Sequence, residues 1–405
     1  MTEAEFVNRL QNIQARVFIV GGWVRDYLRG QKPHDKDYMV AGITERDFQK
    51  AFPEARKTGK SFPVYLLNIA GNTCEVAFAR KEKKTGQGYL GFSIDADARV
   101  TPAEDLYRRD TTMNSIAMEL PNKIIYDPYD GQAAIKAEEI RAVSAHFIED
   151  PVRALRASRQ AAELGFTISD VTYEYMRQCQ NELASEPAER KFNELRRALK
   201  AKQPSVFFRA LQRADLLTVT FPELAALIGK TQPKEYHPEG DAFEHTMLVL
   251  DKVAAANDSL LARFCALTHD LGKGRTPEAM LPHHYGHEQT GLVVIKAWNE
   301  RMTLPKDWLQ SSLFVISQHM RAPRLNKASK IVDLLMAIDK SVLSIAEFNA
   351  VILADNHSLP QYLVRAEDIL SKLKAINGSQ APAGLAGKKI GEWLRTARIN
   401  TFQKL

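Results

Sequence analysis

Phe6, Val7, Leu10 and Ile13 recur at the three- and four-residue intervals of a helix face, and Val17-Phe18-Ile19-Val20 then runs apolar without a break. That change of period predicts an amphipathic helix followed by a buried strand. Tyr38-Met39-Val40 reads as a second short strand. Val64-Tyr65-Leu66-Leu67 and Cys74-Glu75-Val76-Ala77-Phe78 flank Gly71-Asn72, as the arms of a hairpin do. Lys123-Ile124-Ile125-Tyr126-Asp127-Pro128 adds a strand that ends in a Pro-Tyr-Asp-Gly turn. From about residue 140 onward strand patterns nearly vanish, and helical spacing takes over in Val152 to Leu164, Phe192 to Leu199 and Val206 to Leu217. The pattern predicts an α+β protein with a mixed head over 1–140, a helical neck and body over 141–236, a second all-α domain over 237–365 and a helical tail over 366–405.

Composition narrows the class. With 45% hydrophobic and 26% charged residues in 405, a soluble protein of about two to four domains is expected. No stretch approaches the roughly 20 apolar residues that span a bilayer, and Met1-Thr2-Glu3-Ala4-Glu5 lacks the features of a signal peptide. Cys74, Cys179 and Cys265 are too scattered for a disulfide framework or a zinc cluster, so a cytoplasmic protein is expected. The net charge of +6 permits a polyanionic partner, but local patches decide such binding. Arg80-Lys81-Glu82-Lys83-Lys84 and the run from Arg190-Lys191 through Arg196-Arg197 to Lys200 and Lys202 are the two candidates. Each reads either as solvated surface or as a phosphate contact.

Chemistry gathers first around residues 21–37. Gly21 and Gly22 end the first apolar run and precede Val24 to Leu28, which can form a helix. Glycines at such a junction let backbone N–H groups approach a phosphate, and the helix N-terminus adds favourable partial charge. Arg25 sits one turn in, within reach of a triphosphate oxygen. An ordinary tight turn fits the glycines equally well; Asp35-Lys36-Asp37 shifts the reading. On a strand, residues two apart share a face, so both carboxylates would project together. Like charges that close repel unless a cation lies between them, and hard oxygen donors suit Mg2+. Such a site activates an attacking hydroxyl and steadies a departing pyrophosphate. A solvated Asp-Lys-Asp loop is the plain alternative. Glu75, an acid amid apolar strand residues, either completes a carboxylate trio or faces solvent.

Arg108-Arg109-Asp110-Thr111-Thr112-Met113-Asn114 reads as a helix start capped by Asp110, leaving Arg109 to meet a triphosphate. In Glu149-Asp150-Pro151-Val152-Arg153, proline and acids mark another helix start. Arg153, Arg156 and Arg159 then recur every three residues and fan over about a third of the circumference. Without matched acids, three such heads call for an anion. Asp150 and Arg153 also offer an acceptor and a donor for reading a base edge. Cytosine and adenine both place an amino donor beside a ring-nitrogen acceptor, whereas guanine and uracil reverse that order. A surface ion pair three residues apart is the alternative.

Gly21-Gly22-Trp23-Val24-Arg25-Asp26, Asp35-Lys36-Asp37, Arg108-Arg109-Asp110 with Asn114, and Glu149-Asp150-Pro151-Val152-Arg153 with Arg156 and Arg159 stand in an order and spacing that resembles one family. It is that of the bacterial class II tRNA nucleotidyltransferases, the CCA-adding enzymes of the polymerase β-like superfamily. The resemblance covers the first 160 residues and implies that Asp35 and Asp37 hold the catalytic Mg2+. It implies that Gly22, Arg25, Arg109, Arg156 and Arg159 contact nucleotide and that Asp150 and Arg153 template the base. Glu186-Pro187-Ala188-Glu189-Arg190 through Glu194-Leu195 looks like the family's neck motif, and Lys83 to Phe92 occupies the place of its flexible loop, which favours full CCA addition. Trp23 stands where a small residue is common, and Gln160 where phenylalanine is usual.

A second constellation lies late in the chain. His245, His269-Asp270, His287, His319 and Asp355 mix nitrogen and oxygen donors, which suit transition metals such as Mn2+, Ni2+ or Fe2+. Gly272 in His269-Asp270-Leu271-Gly272-Lys273 is read as stopping a helix. The pattern resembles the HD phosphohydrolase superfamily, whose metal ligands map onto His245, His269, Asp270 and Asp355, with His287 and His319 at further positions of the same kind. The whole layout is similar to the multifunctional CCA protein family. That likeness implies CCA addition to the tRNA acceptor arm from CTP and ATP, together with phosphatase and 2′,3′-cyclic phosphodiesterase activity. A poly(A) polymerase, a partial CC- or A-adding enzyme and a non-catalytic tRNA-binding protein are the competing expectations. The oligomeric state expected is a monomer or homodimer.

Overall fold

A computed structural model of the chain describes residues 1–59, 64–86 and 91–405. Of the loop expected over 83–92, residues 87–90 lie outside the described residues. The chain divides into two compact units, Met1–Glu194 with Val206–Thr220, and Leu195–Ser205 with Phe221–Leu405. The segment read as a neck is therefore shared between the two.

Among the described residues the first unit holds eleven strands and a set of helices; two short ones, Glu139–Ile140 and Thr167–Ile168, pair parallel by themselves, and the other nine shape the head. The nine are β1 (Arg16–Val20), β2 (Asp37–Ala41), β3 (Arg56–Thr58), β4 (Val64–Ile69), β5 (Asn72–Phe78), β6 (Lys81–Lys84), β7 (Phe92–Asp95), β8 (Ala117–Leu120) and β9 (Ile124–Tyr126). Seven of them form one sheet in the order β3-β4-β5-β2-β1-β8-β9, and β6 with β7 makes a separate ribbon. Within the large sheet β2 and β5 run parallel, while the other neighbours pair antiparallel.

Central strands buried on both faces read as unbroken apolar runs, and β1 and β2 show why. Val17, Ile19, Tyr38 and Val40 enter one core with Phe6, Leu10, Phe48 and Phe52, and Phe18, Val20, Met39 and Ala41 enter a second with Val100 and Leu106. The first core includes the predicted N-terminal helix, Glu3–Gln11, closed at its start by a Thr2/Glu5 capping box. The β4–β5 hairpin turns through Ala70 and Gly71, both at positive φ, as a two-residue hairpin loop requires.

The helix Val152–Leu164 buries residues all round and ends at Gly165 in the left-handed region. The single helix expected from Val206 to Leu217 is instead two, Ser205–Arg213 and Leu217–Thr220. Asp215 adopts φ +58°, and the Leu216 N–H bonds the Leu211 carbonyl, which closes the first helix.

The second unit is helical. Ala242–Ala256, Leu260–Thr268, Lys306–Gln318, Ala328–Lys340, Ile345–Asn356 and Ala366–Lys374 supply its main core, and Ile399 and Phe402 of the terminal helix Lys388–Phe402 lean on it. Gly272 does not end the preceding helix, which stops at Thr268. It lies inside a 3-10 turn, Leu271–Arg275, where a Cβ would come within 1.8 Å of the His287 carbonyl oxygen. The glycine thus allows the helix His287–Met302 to start directly against the His269-Asp270 turn.

Candidate active sites

The carboxylates of the first unit collect at one end of its sheet. Strand β2 begins at Asp37, and its register sets Asp37 opposite Val20 on β1 and opposite Glu75 on β5. Cross-strand partners project to the same face, so the Asp37 and Glu75 carboxyls are neighbours. Asp35 lies outside the strand, on the irregular segment before it. Strand alternation is therefore not what aligns the two aspartates, contrary to the sequence expectation. All three acids are exposed. Local desolvation, with the charges of Glu75 and Asp35, still pushes Asp37 up to about 6, against the opposing pull of Arg109. The crowding follows from the register and from the like charges.

A glycine turn faces this cluster. Gly21 sits at φ +73°, and a Cβ there would meet Arg109 Nη1 at 3.5 Å. Arg25 lies across Gly22, with its Nη2 3.4 Å from where a Cβ would stand. The same guanidinium donates to Asp26 at 2.9 Å and to Asn114 Oδ1 at 3.0 Å. Arg109 is held in turn by Asp105, at 3.1 Å from Nη2. Three carboxylates beside a glycine turn flanked by Arg25 and Arg109 are a donor set suited to Mg2+ and phosphate.

Asp110 caps no helix. The helix Pro102–Tyr107 precedes it, and the short turn Thr112–Asn114 starts from Thr111. Its buried carboxylate instead accepts from the Thr111 N–H (2.8 Å), Asn114 Nδ2 (3.2 Å), Arg156 Nε (2.7 Å) and Gln160 Nε2 (3.1 Å). Burial opposes its charge, but Arg156 and these donors hold it far below the usual carboxylate range. Asn114 thereby links Asp110 to Arg25.

Nor are the arginines of the Val152–Leu164 helix a bare row, for two of the three have matched acids and the third meets a carbonyl. Arg156 pairs with Asp110, and Arg159 pairs with Glu194 and Glu163. Arg153 donates to the His146 carbonyl. Asp150 is not paired to Arg153 but accepts from Arg190 at 3.0 and 3.1 Å. The basic run 80–84 is likewise largely matched, with Arg80 on Glu82, Lys81 on Glu104 and Lys84 on Glu182.

In the second unit the predicted residues converge. His245 comes from the first turns of the Ala242–Ala256 helix, His269 and Asp270 from the end of the next, His287 and His319 from the ends of two more, and Asp355 from the end of Ile345–Asn356. Asp270 Oδ2 lies 3.2 Å from His269 Nε2 and 3.6 Å from His245 Nε2, while Oδ1 lies 3.3 Å from His287 Nε2 and 3.4 Å from His319 Nε2. Asp355 Oδ1 closes the first group at 3.0 Å from His245 and 3.8 Å from His269.

The far side of each ring is held. Nδ1 donates to Ala266 O in His269 (2.7 Å), to His284 O in His287 (2.7 Å) and to Ile316 O in His319 (3.0 Å). In His245 it donates to Glu239 Oε1 at 2.5 Å. Carbonyls and carboxylates only accept, so Nδ1 carries a proton in each ring. Nε2 keeps its lone pair in neutral His269, His287 and His319, whereas His245 Nε2 also meets an acceptor, Asp355 Oδ1 at 3.0 Å, and a cation there would take the place of its proton. Those lone pairs then face one another and Asp270; His287 Nε2 and His319 Nε2 are 3.2 Å apart. His269 Nε2 and both Asp270 oxygens are buried without a hydrogen bond, although Lys273 Nζ lies 2.6 Å from Oδ2. Converging lone pairs and orphaned buried oxygens fit a cation. Burial opposes a charge on His245, yet its bonds to Asp355 and Glu239 push its pKa up to about 9.

The sequence reading missed His237, Glu239 and Lys273 at this site. His237 and Glu239 group with His245, and Lys273 also donates to Gln232 at 2.5 Å. For His237 and Glu239 the signal was the tetrad His237-Pro238-Glu239-Gly240, a turn pattern just ahead of His245, and for Lys273 its place three residues after Asp270.

A nucleotidyl-transfer head joined to an HD-type helical domain is the class that this fold and these two clusters define. Family descriptions match in the same order: "Poly A polymerase head domain" over 17–141, "Probable RNA and SrmB-binding site of polymerase A" over 165–228, and "HD domain" over 242–341. The Multifunctional CCA protein of Xanthomonas euvesicatoria pv. vesicatoria (strain 85-10) is 40% identical over 404 residues, covering 95% of this chain and 97% of that one. That of Shewanella denitrificans is 43% identical over 326 residues, or 79% and 78% of the two chains. The chain belongs to the multifunctional CCA protein family. A solved CCA-adding enzyme with ATP shares the fold at TM-score 0.68 and 20% identity, over 98% of this chain and 87% of that one. An apo form aligns at 0.67 and 22%, over 98% and 89%. Among the described residues no helix is long and apolar enough to cross a membrane.

Proposed function

We propose that the chain adds and repairs the 3′-terminal CCA of tRNA from CTP and ATP, without a nucleic-acid template. The observation that carries this reading is the register of Asp37 with Glu75, beside Asp35 and the Gly21 turn. Asp35 and Asp37 would hold Mg2+, with Glu75 near enough to serve as a third acid. When bound, the ion supplies Lewis-acid help to the attacking 3′-hydroxyl and the departing pyrophosphate. Gly22, Arg25 and Arg109 bind and orient the triphosphate, and Arg156 and Arg159 hold the nucleotide-facing side of their helix. tRNA lacking its 3′ end, incubated with CTP and ATP, should grow by three nucleotides and stop. Long A tails would overturn this in favour of a poly(A) polymerase, arrest after fewer nucleotides would mark a partial enzyme, and no growth a tRNA-binding protein.

Asp150 and Arg153 select the base in this reading. Arg190 and the His146 carbonyl orient their heads before nucleotide arrives. A bidentate base contact discriminates by about 1–3 kcal/mol. Arg153→Ala should therefore raise UTP and GTP incorporation roughly ten- to a hundredfold relative to CTP, while the KM for triphosphate moves much less. Unchanged discrimination in competition assays would count against templating.

The HD-type cluster is proposed to hydrolyse phosphoesters, including 2′,3′-cyclic phosphates. His245, His269, Asp270 and Asp355, with His287 and His319 beside Asp270, would hold a transition metal such as Ni2+ or Mn2+. A metal there supplies activation of water for attack on phosphorus. Lys273, beside Asp270, balances the carboxylate charge in a buried setting.

A further inference from the structure

Three of the four clustered histidines lean on backbone carbonyls, and His245 alone leans on a side-chain carboxylate. We propose that Glu239 is a positioning residue of the hydrolase site, one that fixes the tautomer and ring orientation of His245 so that its Nε2 lone pair faces the metal. The inference rests on the hydrolase reading above and goes beyond it, since it gives Glu239 a role through His245 rather than as a ligand.

Local sequence builds the arrangement. His237-Pro238-Glu239-Gly240 closes a β-turn, with the Gly240 N–H on the His237 carbonyl at 2.9 Å. Proline at the second position and glycine at the fourth suit that turn, and Gly240 takes φ +73°. Asp241 then caps the next helix, accepting from the Phe243 and Glu244 N–H groups at 2.8 and 3.1 Å. Its other oxygen accepts from the Gly229 N–H at 2.7 Å, which ties the turn down. His245 emerges one turn later, and the part-buried Glu239 carboxylate meets its Nδ1.

His237 packs edge-on against the His245 ring at 4.5 Å, with its own Nδ1 3.4 Å from the same Glu239 oxygen. The carboxylate therefore sits between two imidazoles, and the rotation of His245 about its side chain is limited from both directions. Carboxylate–histidine–metal relays of this form raise ligand basicity, and losing the outer partner weakens metal binding about 10- to 100-fold.

The test is Mn2+ titration of metal-stripped full-length protein by calorimetry, in an Asp37→Ala background that removes the head's contribution. Glu239→Ala should weaken the tightest Mn2+ step about 10- to 100-fold. Glu239→Gln should recover most of that loss, because its amide oxygen still accepts the Nδ1 proton. A purely structural role would not be rescued in this order, and circular dichroism melts check that both variants fold. Mn2+ affinity unchanged in Glu239→Ala would overturn the positioning role while leaving the hydrolase site standing. Absence of binding in the Glu239-intact protein would instead overturn the hydrolase reading itself.

Discussion

Asp37→Ala should cut nucleotide incorporation about a thousandfold or more, with tRNA affinity held within roughly twofold. The size follows from losing several kcal/mol of metal-assisted stabilisation of the transition state. The separation follows from geometry, since tRNA is held chiefly by shape and phosphate contacts, whereas Asp37 stands at a sheet end between Glu75 and Arg109. Single-turnover extension and filter binding, run on the same variant, read the two quantities. A pH series sharpens the test in the wild type. Local desolvation and the neighbouring acids put Asp37 at about 6, and only its ionised form ligates. Protons therefore compete with Mg2+ below pH 6, and Mg2+ affinity should fall about tenfold per pH unit there and level off above pH 7. Incorporation that survives the substitution, or Mg2+ affinity flat down to pH 4.5, would remove Asp37 from the reaction.

Local patterns were legible in the sequence, and long-range pairings were not. The Val152–Leu164 helix matches its expected bounds because proline opens it and Gly165 closes it, both local signals. The hairpin was readable for the same reason, although its turn is Ala70-Gly71 and the expected turn residue Asn72 already belongs to the strand. The parallel pairing of β2 with β5 was not, because it joins residues 38 positions apart with no periodic trace. That pairing is what sets Glu75 beside Asp37. Asp110 misled for a related reason. Next to a short helical turn it looks like a cap, but the arginine and glutamine that claim it lie 46 and 50 residues away. The arginine row was read as seeking an anion because Glu194, which pairs with Arg159, belongs to a distant segment. Gln160 gains its meaning only in three dimensions. At the place where phenylalanine is usual, it bridges Asp110 and the Thr111 hydroxyl.

The helical unit behaves differently, because its chemistry is carried by donor type as much as by position. His269→Ala is expected to abolish hydrolysis of 2′,3′-cyclic nucleotides, by at least about a hundredfold, and to leave CCA addition intact. The ring is fully buried, and its Nε2 is one of the atoms without a hydrogen bond around Asp270. Alanine removes that donor and leaves Asp270 Oδ2 facing His245 and Lys273 alone. It also opens a cavity at the end of the Leu260–Thr268 helix, which costs about 2–4 kcal/mol, so a thermal melt must accompany the assay. The two activities should part because the residues proposed for transfer all belong to the first compact unit, and His269 belongs to the second. Loss of both in a variant that still melts cooperatively near the wild-type temperature would mean that the two clusters serve one reaction. Retained hydrolysis would mean that the metal is held without His269, and the ligand assignment built on Asp270 would have to be redrawn.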